Sequence, residues 1–239
     1  MGIGLYAAAL LPLACAPAPA GQKTVSFSTA DGCRLEAFYL APSSGAYVFI
    51  NVHGLGSDKN EWGLFQEELK SAGYGYLSLD LRGHGRSRTC GGKSADYNFF
   101  SEAGWNGVSA DIETAAAWLK KRGLSAKKLV FCGASIGANL ALKAAAEGSL
   151  KPAALVLLSP GLDYAGVTTE NYFAAPVTFR VLTVAARADA YAWKSALRLK
   201  AAAGKGRPAR FLEAAGGHGV NMFKDPSVIP AILAWVEEK

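Results

Sequence analysis

A serine stands where an apolar run of the sequence ends and a helical pattern begins. Residues 133–137 have the pattern Gly-x-Ser-x-Gly around Ser135, after the apolar run 128–132 and before a helical spacing over 139–146. A serine on such a sharp turn is accessible to substrate, and the N–H groups at the start of the helix face developing negative charge. The pattern therefore predicts acyl-transfer chemistry with Ser135 as the nucleophile.

A serine hydroxyl needs a general base at neutral pH, and the chain holds three histidines that could serve. These are His53, His84 and His218. His53 and His84 precede Ser135, whereas His218 lies in the glycine-rich segment 216–219, between the last predicted strand and the last predicted helix. A serine followed later by histidine is the order found on strand-turn-helix nucleophile sites, which favours His218 as the base.

These residues need a sheet to position them, and apolar runs predict one. Strands are expected at residues 23–28, 34–40, 47–52, 75–79, 128–132, 154–159, 180–185 and 210–213. The first two alternate between apolar and polar residues and flank a turn, which predicts an antiparallel hairpin at the sheet edge. The other six are continuously apolar, as buried parallel strands are.

Segments with helical spacing separate most of these strands. Residues 108–119 form one, with Ser101 and Glu102 at its start, and a C-terminal helix is expected from Asp225 and Pro226 onward. The fold class predicted is α/β, a doubly wound, mostly parallel eight-stranded sheet with helices on both faces. Residues 21–239 are expected to form one domain, since no linker-like composition divides them.

The first twenty residues differ in composition from the rest. Residues 3–13 are an apolar run too short to span a bilayer, followed by small residues and prolines. Residues 18–20 fit a signal-peptide cleavage site, and residues 13–15 resemble the end of a bacterial lipobox. We expect export, with lipid attachment at Cys15 as the favoured route to the membrane; a cytoplasmic chain is the alternative.

Charge and cysteine content narrow the function classes. The chain of 239 residues has 25 Lys+Arg and 19 Asp+Glu, but the basic residues are scattered, so we expect no nucleic-acid partner. Four cysteines without a C-x-x-C pattern, and only three histidines, predict no metal site and no cofactor. Whether Cys33 and Cys90 meet, and the oligomeric state, are left open.

The chain from about residue 23 to the C-terminus resembles the α/β-hydrolase family. Four elements match in order: residues 53–56 resemble the oxyanion loop, 80–87 resemble a D-x-R-G-x-G-x-S segment, 133–137 resemble the nucleophile elbow, and Asp189 with His218 resemble the remaining triad pair. The resemblance implies backbone N–H groups of Leu55 and Ile136 as the oxyanion hole.

The acid is the least determined member of the triad, because Asp163, Asp189, Glu213 and Asp225 all follow Ser135. The resemblance places the orienting carboxylate in the loop after strand 180–185, which favours Asp189. Asp163 is the alternative, since some relatives carry the acid after the preceding strand; otherwise it caps a loop. Asp80 and Arg82 are expected to fix their loop rather than contact substrate.

The function predicted is that of a serine hydrolase that cleaves carboxylic esters through an acyl-enzyme. Ser135 attacks the carbonyl, His218 transfers the proton, and Asp189 orients His218. Only about twenty residues separate positions 160 and 179, too few for a cap domain, so an open site for small acyl esters is expected. A serine peptidase or an acyltransferase of the same fold, and a non-catalytic binding protein, are the alternatives.

Overall fold

The structure is a computed structural model, and it describes residues 21–174, 179–203 and 209–238. The predicted signal segment, including Cys15, lies outside these residues, so it stays a prediction. Among the helices of the described ranges, none combines the length and the apolar character that a bilayer crossing requires.

The sheet is mixed and mostly parallel, and a strand is present at each of the eight predicted sites. The described strands are β1 (Lys23–Ser28), β2 (Cys33–Leu40), β3 (Val48–Val52), β4 (Gly75–Leu79), β5 (Thr89–Cys90), β6 (Lys93–Ser94), β7 (Leu129–Ala134), β8 (Ala154–Leu158), β9 (Asp163–Tyr164), β10 (Val167–Thr168), β11 (Arg180–Ala186) and β12 (Ala209–Ala214). Their order in the main sheet is β12-β11-β8-β7-β3-β4-β2-β5-β6, with β1 paired to β2. β1 and β2 form the predicted antiparallel hairpin, with Lys23 opposite Tyr39.

The main sheet has ten strands rather than the predicted eight. The additional pair, β5 and β6, has two residues in each strand, too few to show an alternating pattern in the sequence. A separate two-stranded ribbon, β9 and β10, lies in the short segment that follows β8. The sequence therefore predicted the long buried strands and missed the shortest ones.

Helices cover both faces of the sheet. The described α-helices are α1 (Gly63–Ser71), α2 (Glu102–Gly107), α3 (Ser109–Lys120), α4 (Ile136–Glu147), α5 (Glu170–Ala174), α6 (Ala190–Ala202) and α7 (Val228–Glu237). One core cluster contains apolar residues of α2, α3 and α4, and the other contains those of α1 and α7. β3 contributes to both clusters, because Val48, Ile50 and Val52 face the first and Phe49 faces the second.

Cys33 and Cys90 form a disulfide, which settles the question that the sequence left open. The two residues lie opposite each other on β2 and β5, so the bond ties the β5–β6 hairpin to the sheet. Cys132 lies in the interior of β7 and is a free, buried thiol.

The strand order creates a crevice at the carboxyl ends of β3 and β7. The chain leaves β3 toward β4 on one side, and it returns to pair β7 on the other side of β3. The loops at the carboxyl ends of β3 and β7 therefore diverge and leave a crevice, where α/β sheets bind ligands. Leu55 follows β3 and Ser135 follows β7, so both predicted residues lie at this crevice.

Candidate active site

Ser135 lies on a sharp turn between β7 and α4, with φ of 56° and ψ of −125°. A non-glycine residue rarely has positive φ, so the surrounding structure must hold this conformation. The two flanking glycines allow the backbone of the turn to pack closely against neighbouring carbonyl groups. A Cβ on Gly133 would overlap the carbonyl oxygen of Gly137, and a Cβ on Gly137 would overlap the carbonyl oxygens of Val52 and His53. The Gly-x-Ser-x-Gly pattern is therefore a packing requirement of this turn.

His218 and Asp189 form a hydrogen-bonded pair beside this turn. The His218 Nδ1–H donates to Asp189 Oδ2 at 2.6 Å. An ionised carboxylate only accepts, so this contact places the proton on Nδ1 and leaves Nε2 as the acceptor. The His218 side chain is 47% exposed and that of Asp189 is 15% exposed. The imidazole can therefore meet a substrate, while the carboxylate that orients it is sheltered.

The other carboxylates that the sequence offered as the acid have different partners. Asp163 Oδ1 accepts the N–H of Gly166 and closes the turn of the β9–β10 ribbon, which matches its alternative role as a loop cap. Glu213 forms an ion pair with Arg187 on an exposed surface. Asp225 accepts the N–H of Ala215 and caps the turn before α7. Of the four, the structure brings Asp189 to His218.

The predicted oxyanion donors are two backbone amides at the crevice. Within the described part of the chain, neither the Leu55 N–H nor the Ile136 N–H donates to another protein group. Ile136 is the first residue of α4, where the N–H groups of a helix lack internal partners. Gly54 lies close to Ser135, since a Cβ on Gly54 would be 3.5 Å from the Ser135 Cβ. Both amides thus remain available to an oxyanion.

His53 fixes the direction of the Leu55 amide. Its Nε2 accepts the N–H of Leu81 at 3.0 Å, so Nδ1 carries the proton and donates to the Gly54 carbonyl at 2.8 Å. That carbonyl and the Leu55 N–H belong to one planar trans peptide and point in opposite directions. The N–H of Leu55 therefore points away from His53. Burial lowers the pKa of His53 to about 4, so the ring is neutral and structural.

The segment that resembles D-x-R-G-x-G-x-S is held by buried charges. Asp80 is fully buried and accepts from the Lys59 ammonium at 2.6 Å and from the backbone N–H groups of Lys59 and Arg86. Arg82 pairs with the buried Asp111 at 2.7 Å and with Asp31. These contacts confirm that Asp80 and Arg82 fix their loop. His84 is buried and stacks on Tyr97, with ring centroids 4.0 Å apart.

Two further polar side chains lie at or beside the crevice, and the sequence predicted a role for neither of them. Glu61 lines it together with Leu55, Ser135 and His218, and Glu61 Oε1 accepts the N–H of Gly54 at 3.0 Å. Burial raises the pKa of the Glu61 carboxyl. Glu61 lies in no recognisable motif, so only the folded chain reveals its position.

The second of these side chains is Tyr164, in the β9–β10 ribbon. Its hydroxyl donates to the Ser159 carbonyl at 3.3 Å and also faces the Ser135 side chain. Burial raises the pKa of Tyr164, so the hydroxyl is a neutral donor beside Ser135. Its ring packs on Gly161, where a Cβ would lie 2.7 Å from the ring. Tyr164 is thus held beside Ser135 by its contacts with Ser159 and Gly161.

Ser159 links the strand ends to the loop that carries His218. It has φ of 50° at the carboxyl end of β8, is fully buried, and accepts the N–H of Gly219 on its hydroxyl at 2.9 Å. Gly219 follows His218 directly, and a Cβ on Gly219 would lie 3.3 Å from the Ala134 Cβ. The loop that carries His218 therefore packs directly against the turn that carries Ser135.

The crevice is open and has a volume of about 300 Å³. Its walls are Gly54, Leu55 and Glu61 on one side and the residues after His218 on the other. In the ranges that the structure describes, no cluster of three or more His, Cys, Asp or Glu side chains could hold a metal ion.

The chain belongs to the Hydrolase_4 family, described as serine aminopeptidase, S33, whose model matches residues 43–200. The matched region contains the predicted oxyanion loop, the turn of Ser135 and Asp189. The resemblance to α/β-hydrolases that the motifs indicated is confirmed by this match and by the fold.

Relatives and solved structures with this fold carry out several hydrolytic and transfer reactions. The chain is 34% identical over 128 residues to an N-formylmaleamate deformylase of Pseudomonas putida, covering 54% of this chain and 42% of the relative. It is 28% identical over 134 residues to the dihydrolipoyllysine-residue acetyltransferase component of the acetoin cleaving system of Cupriavidus necator, covering 56% of this chain and 31% of the relative. The chain thus spans less than half the length of these two curated relatives. The structure of the Pyrococcus furiosus esterase Pf2001 superposes with a TM-score of 0.71 at 16% identity, covering 90% of this chain and 91% of that chain.

Proposed function

We propose that this protein is a serine hydrolase that cleaves carboxylic esters through an acyl-enzyme. Ser135 attacks the ester carbonyl while His218 Nε2 takes its proton, and the alcohol leaves with that proton. Water then attacks the acyl-enzyme by the same route. Asp189 stabilises the imidazolium, and the amides of Leu55 and Ile136 stabilise the oxyanion, each worth about 2.7–4 kcal/mol in comparable sites.

The main support for this proposal is the 2.6 Å contact between His218 and Asp189, beside the strained turn of Ser135. The contact fixes the tautomer that a general base needs, because Nδ1 carries the proton and Nε2 is left as an acceptor on a residue that lines the crevice. A backbone conformation that costs about 1–3 kcal/mol persists at functional sites, which agrees with a nucleophile at this position.

The open crevice supports small or surface-presented acyl esters as substrates. Leu55 lies in the wall of the crevice and is 60% exposed. Between β8 and β11, the elements that the structure describes are the β9–β10 ribbon and the short helix α5. An uncovered site with one apolar wall suits a short acyl chain better than a sequestered lipid.

The test is the intact mass of the purified chain after reaction with a fluorophosphonate probe, with Ser135→Ala and His218→Ala as matched variants. We expect one adduct on Ser135 in the wild type and none in either variant. Chromogenic esters of increasing acyl length should then be hydrolysed, with the highest kcat/KM for short chains. An unlabelled but folded wild type would contradict the proposal and favour a non-catalytic binding protein.

A serine peptidase is the second candidate, because the family is described as serine aminopeptidase. Paired substrates with the same acyl group distinguish the two: an aminoacyl p-nitroanilide and the corresponding p-nitrophenyl ester. Ester cleavage without anilide cleavage supports the esterase. Comparable kcat/KM on the anilide would favour the peptidase, and transfer of the acyl group to an added alcohol in preference to water would favour an acyltransferase.

We also propose that the protein is exported and anchored by lipid on Cys15. The disulfide between Cys33 and Cys90 supports this, since such bonds persist in oxidising compartments. Mass spectrometry of the membrane fraction should detect a lipid-modified N-terminal cysteine, and Cys15→Ser should release the chain from the membrane. An unprocessed N-terminus in the cytoplasmic fraction would contradict this proposal.

A further inference from the structure

We propose that Glu61 is a positioning residue for the oxyanion hole, which it holds open by accepting the N–H of Gly54. The inference rests on the proposed function and assigns to the same site a residue that, in the described part of the chain, forms no hydrogen bond with Ser135 or His218. Its effect reaches the substrate through the backbone of residues 54 and 55.

The loop after β3 is fixed at two consecutive peptide groups. Glu61 Oε1 accepts the Gly54 N–H at 3.0 Å, and the Gly54 carbonyl accepts from His53 Nδ1 at 2.8 Å and from the Ser57 N–H at 3.3 Å. Rotation of the peptide between Gly54 and Leu55 would turn the Leu55 N–H out of the crevice. Glycine at 54 allows such rotation at low cost, so side chains must prevent it.

Glu61 is itself mounted on a rigid segment. It lies in a 3₁₀ helix, Lys59–Trp62, that is capped by Asp58, whose side chain accepts the Asn60 N–H. Lys59 is bonded to the buried Asp80 through both its backbone and its ammonium group, and the Trp62 side chain is fully buried. The residues around Glu61 are thus tied to the core on both sides, so its carboxylate can hold the loop.

The Glu61 side chain is partly buried, and burial raises the pKa of its carboxyl. Among the residues that the structure describes, no lysine or arginine forms an ion pair with Glu61. The carboxylate faces the Ser57 side chain as well as the Gly54 N–H, and without such hydrogen bonds its partial burial would be costly. An apolar side chain would remove that cost but would leave the Gly54 N–H without a partner at the wall of the crevice.

The consequence for catalysis is specific to the transition state. The Leu55 amide bonds the oxyanion that forms during the reaction, not the ground-state ester, so a loosened loop lowers kcat and leaves KM nearly unchanged. A carboxamide offers the same acceptor oxygen to Gly54, so Glu61→Gln should keep the loop in place. Alanine removes the acceptor altogether.

The experiment compares Glu61→Ala and Glu61→Gln with Glu68→Ala, an exposed glutamate on α1, as the control for loss of a carboxylate. We expect Glu61→Ala to lower kcat for a p-nitrophenyl ester by about 10- to 100-fold with KM changed by less than about threefold. The rate of fluorophosphonate labelling should fall in parallel. Glu61→Gln and Glu68→Ala should keep kcat within about threefold of wild type. If Glu61→Ala does not fold, Glu61→Asp, which is one methylene too short to reach Gly54, replaces it.

Three results would overturn the inference. They are an unchanged kcat in Glu61→Ala, a loss confined to KM, and a Glu61→Gln variant as impaired as Glu61→Ala, which would assign the role to charge. Failure of the proposed function looks different, because wild type would then react with neither probe nor ester.

Discussion

Two serines with left-handed backbone hold the site together, and they do so by different means. Ser135 has φ of 56° and presents its hydroxyl to the crevice, while Ser159 has φ of 50° and uses its hydroxyl to bind the loop of His218. Each conformation costs about 1–3 kcal/mol, which packing elsewhere must offset. The positive φ of Ser135 belongs to the proposed nucleophile, and the Ser159 hydroxyl ties the end of β8 to the loop of the proposed base.

Replacing Asp189 and Asp163 one at a time distinguishes the proposed catalytic acid from the residue that caps a loop. Asp189→Asn should lower kcat by about 10²- to 10⁴-fold, because an amide at this position favours the wrong imidazole tautomer. Asp163→Asn should keep kcat within about threefold, since Asp163 only closes the turn of a surface ribbon. Steady-state kinetics on one chromogenic ester measures both. A large loss in Asp163→Asn with little change in Asp189→Asn would show that the assignment is wrong.

His53 should remain neutral far below the ordinary pKa of histidine. Burial lowers its pKa to about 4, so the unfolded chain binds a proton below about pH 6.5 that the folded protein does not. Stability should therefore fall as pH decreases from about 6.5 to 4, by about 3 kcal/mol from this residue alone. His84, whose pKa burial also lowers, acts in the same direction.

Nitrogen NMR chemical shifts would show the His53 tautomer directly, with the proton on Nδ1, and urea unfolding across the acid range would give the stability. A His53 ring that titrates near its ordinary pKa would contradict the buried, neutral assignment.

The sequence predicted those site residues that depend on local pattern. Ser135 was found because a turn between strand and helix leaves a signature of glycines within five positions. Asp189 could be preferred over Asp163 only through the family resemblance, since both follow a buried strand. Glu61 was missed, and Tyr164 was placed near the rim of the site without a role, because no local pattern encodes their contacts with Gly54 and Ser135.

At the scale of elements, the nucleophile turn depends on two close backbone approaches. Gly137→Ala should destabilise the protein by about 2 kcal/mol or more, because the added Cβ overlaps the carbonyl oxygens at the end of β3. The same overlap should displace Ser135 and reduce fluorophosphonate labelling.

Gly63→Ala is the matched control. A Cβ on Gly63 meets no atom within 4 Å, and the residue begins α1 with helical backbone. This change should leave labelling intact and stabilise the protein by up to about 1 kcal/mol. Urea unfolding compares the two variants, and equal stabilities would show that the contact at Gly137 is not close.

The lengths of the elements explain which of them the sequence revealed. Buried strands such as β4 have continuous apolar runs and were placed to the residue, as was β1. The helix predicted at 108–119 with Ser101 at its start is divided into α2 and α3 at Val108, where the N–H bonds to Trp105 three residues back. Apolar periodicity continues through this break, so the pattern could not show it. The two-residue strands β5 and β6 depend on the disulfide and on partner strands.

For the molecule as a whole, the disulfide closes a long stretch of chain. Cys33 and Cys90 are 57 residues apart, and chain-entropy reasoning gives a stabilisation of about 4 kcal/mol for a loop of this size. The double variant Cys33→Ser/Cys90→Ser should therefore lower the free energy of unfolding by about 2–4 kcal/mol in urea. Reduction of wild type should have the same effect, and Cys132→Ala, which leaves the disulfide intact, is the comparison. Equal stability of oxidised and reduced protein would contradict this prediction.

The strand order has a consequence for biosynthesis. On one side of β3 the sheet is extended by β7, β8, β11 and β12, in the same order in which they leave the ribosome. Ser135 follows the first of these strands, Asp189 the third and His218 the fourth. The proposed nucleophile, acid and base therefore follow successive strands on this side of the sheet. His218 follows the last of these strands, so its contact with Asp189 can form only after β12 has been synthesised.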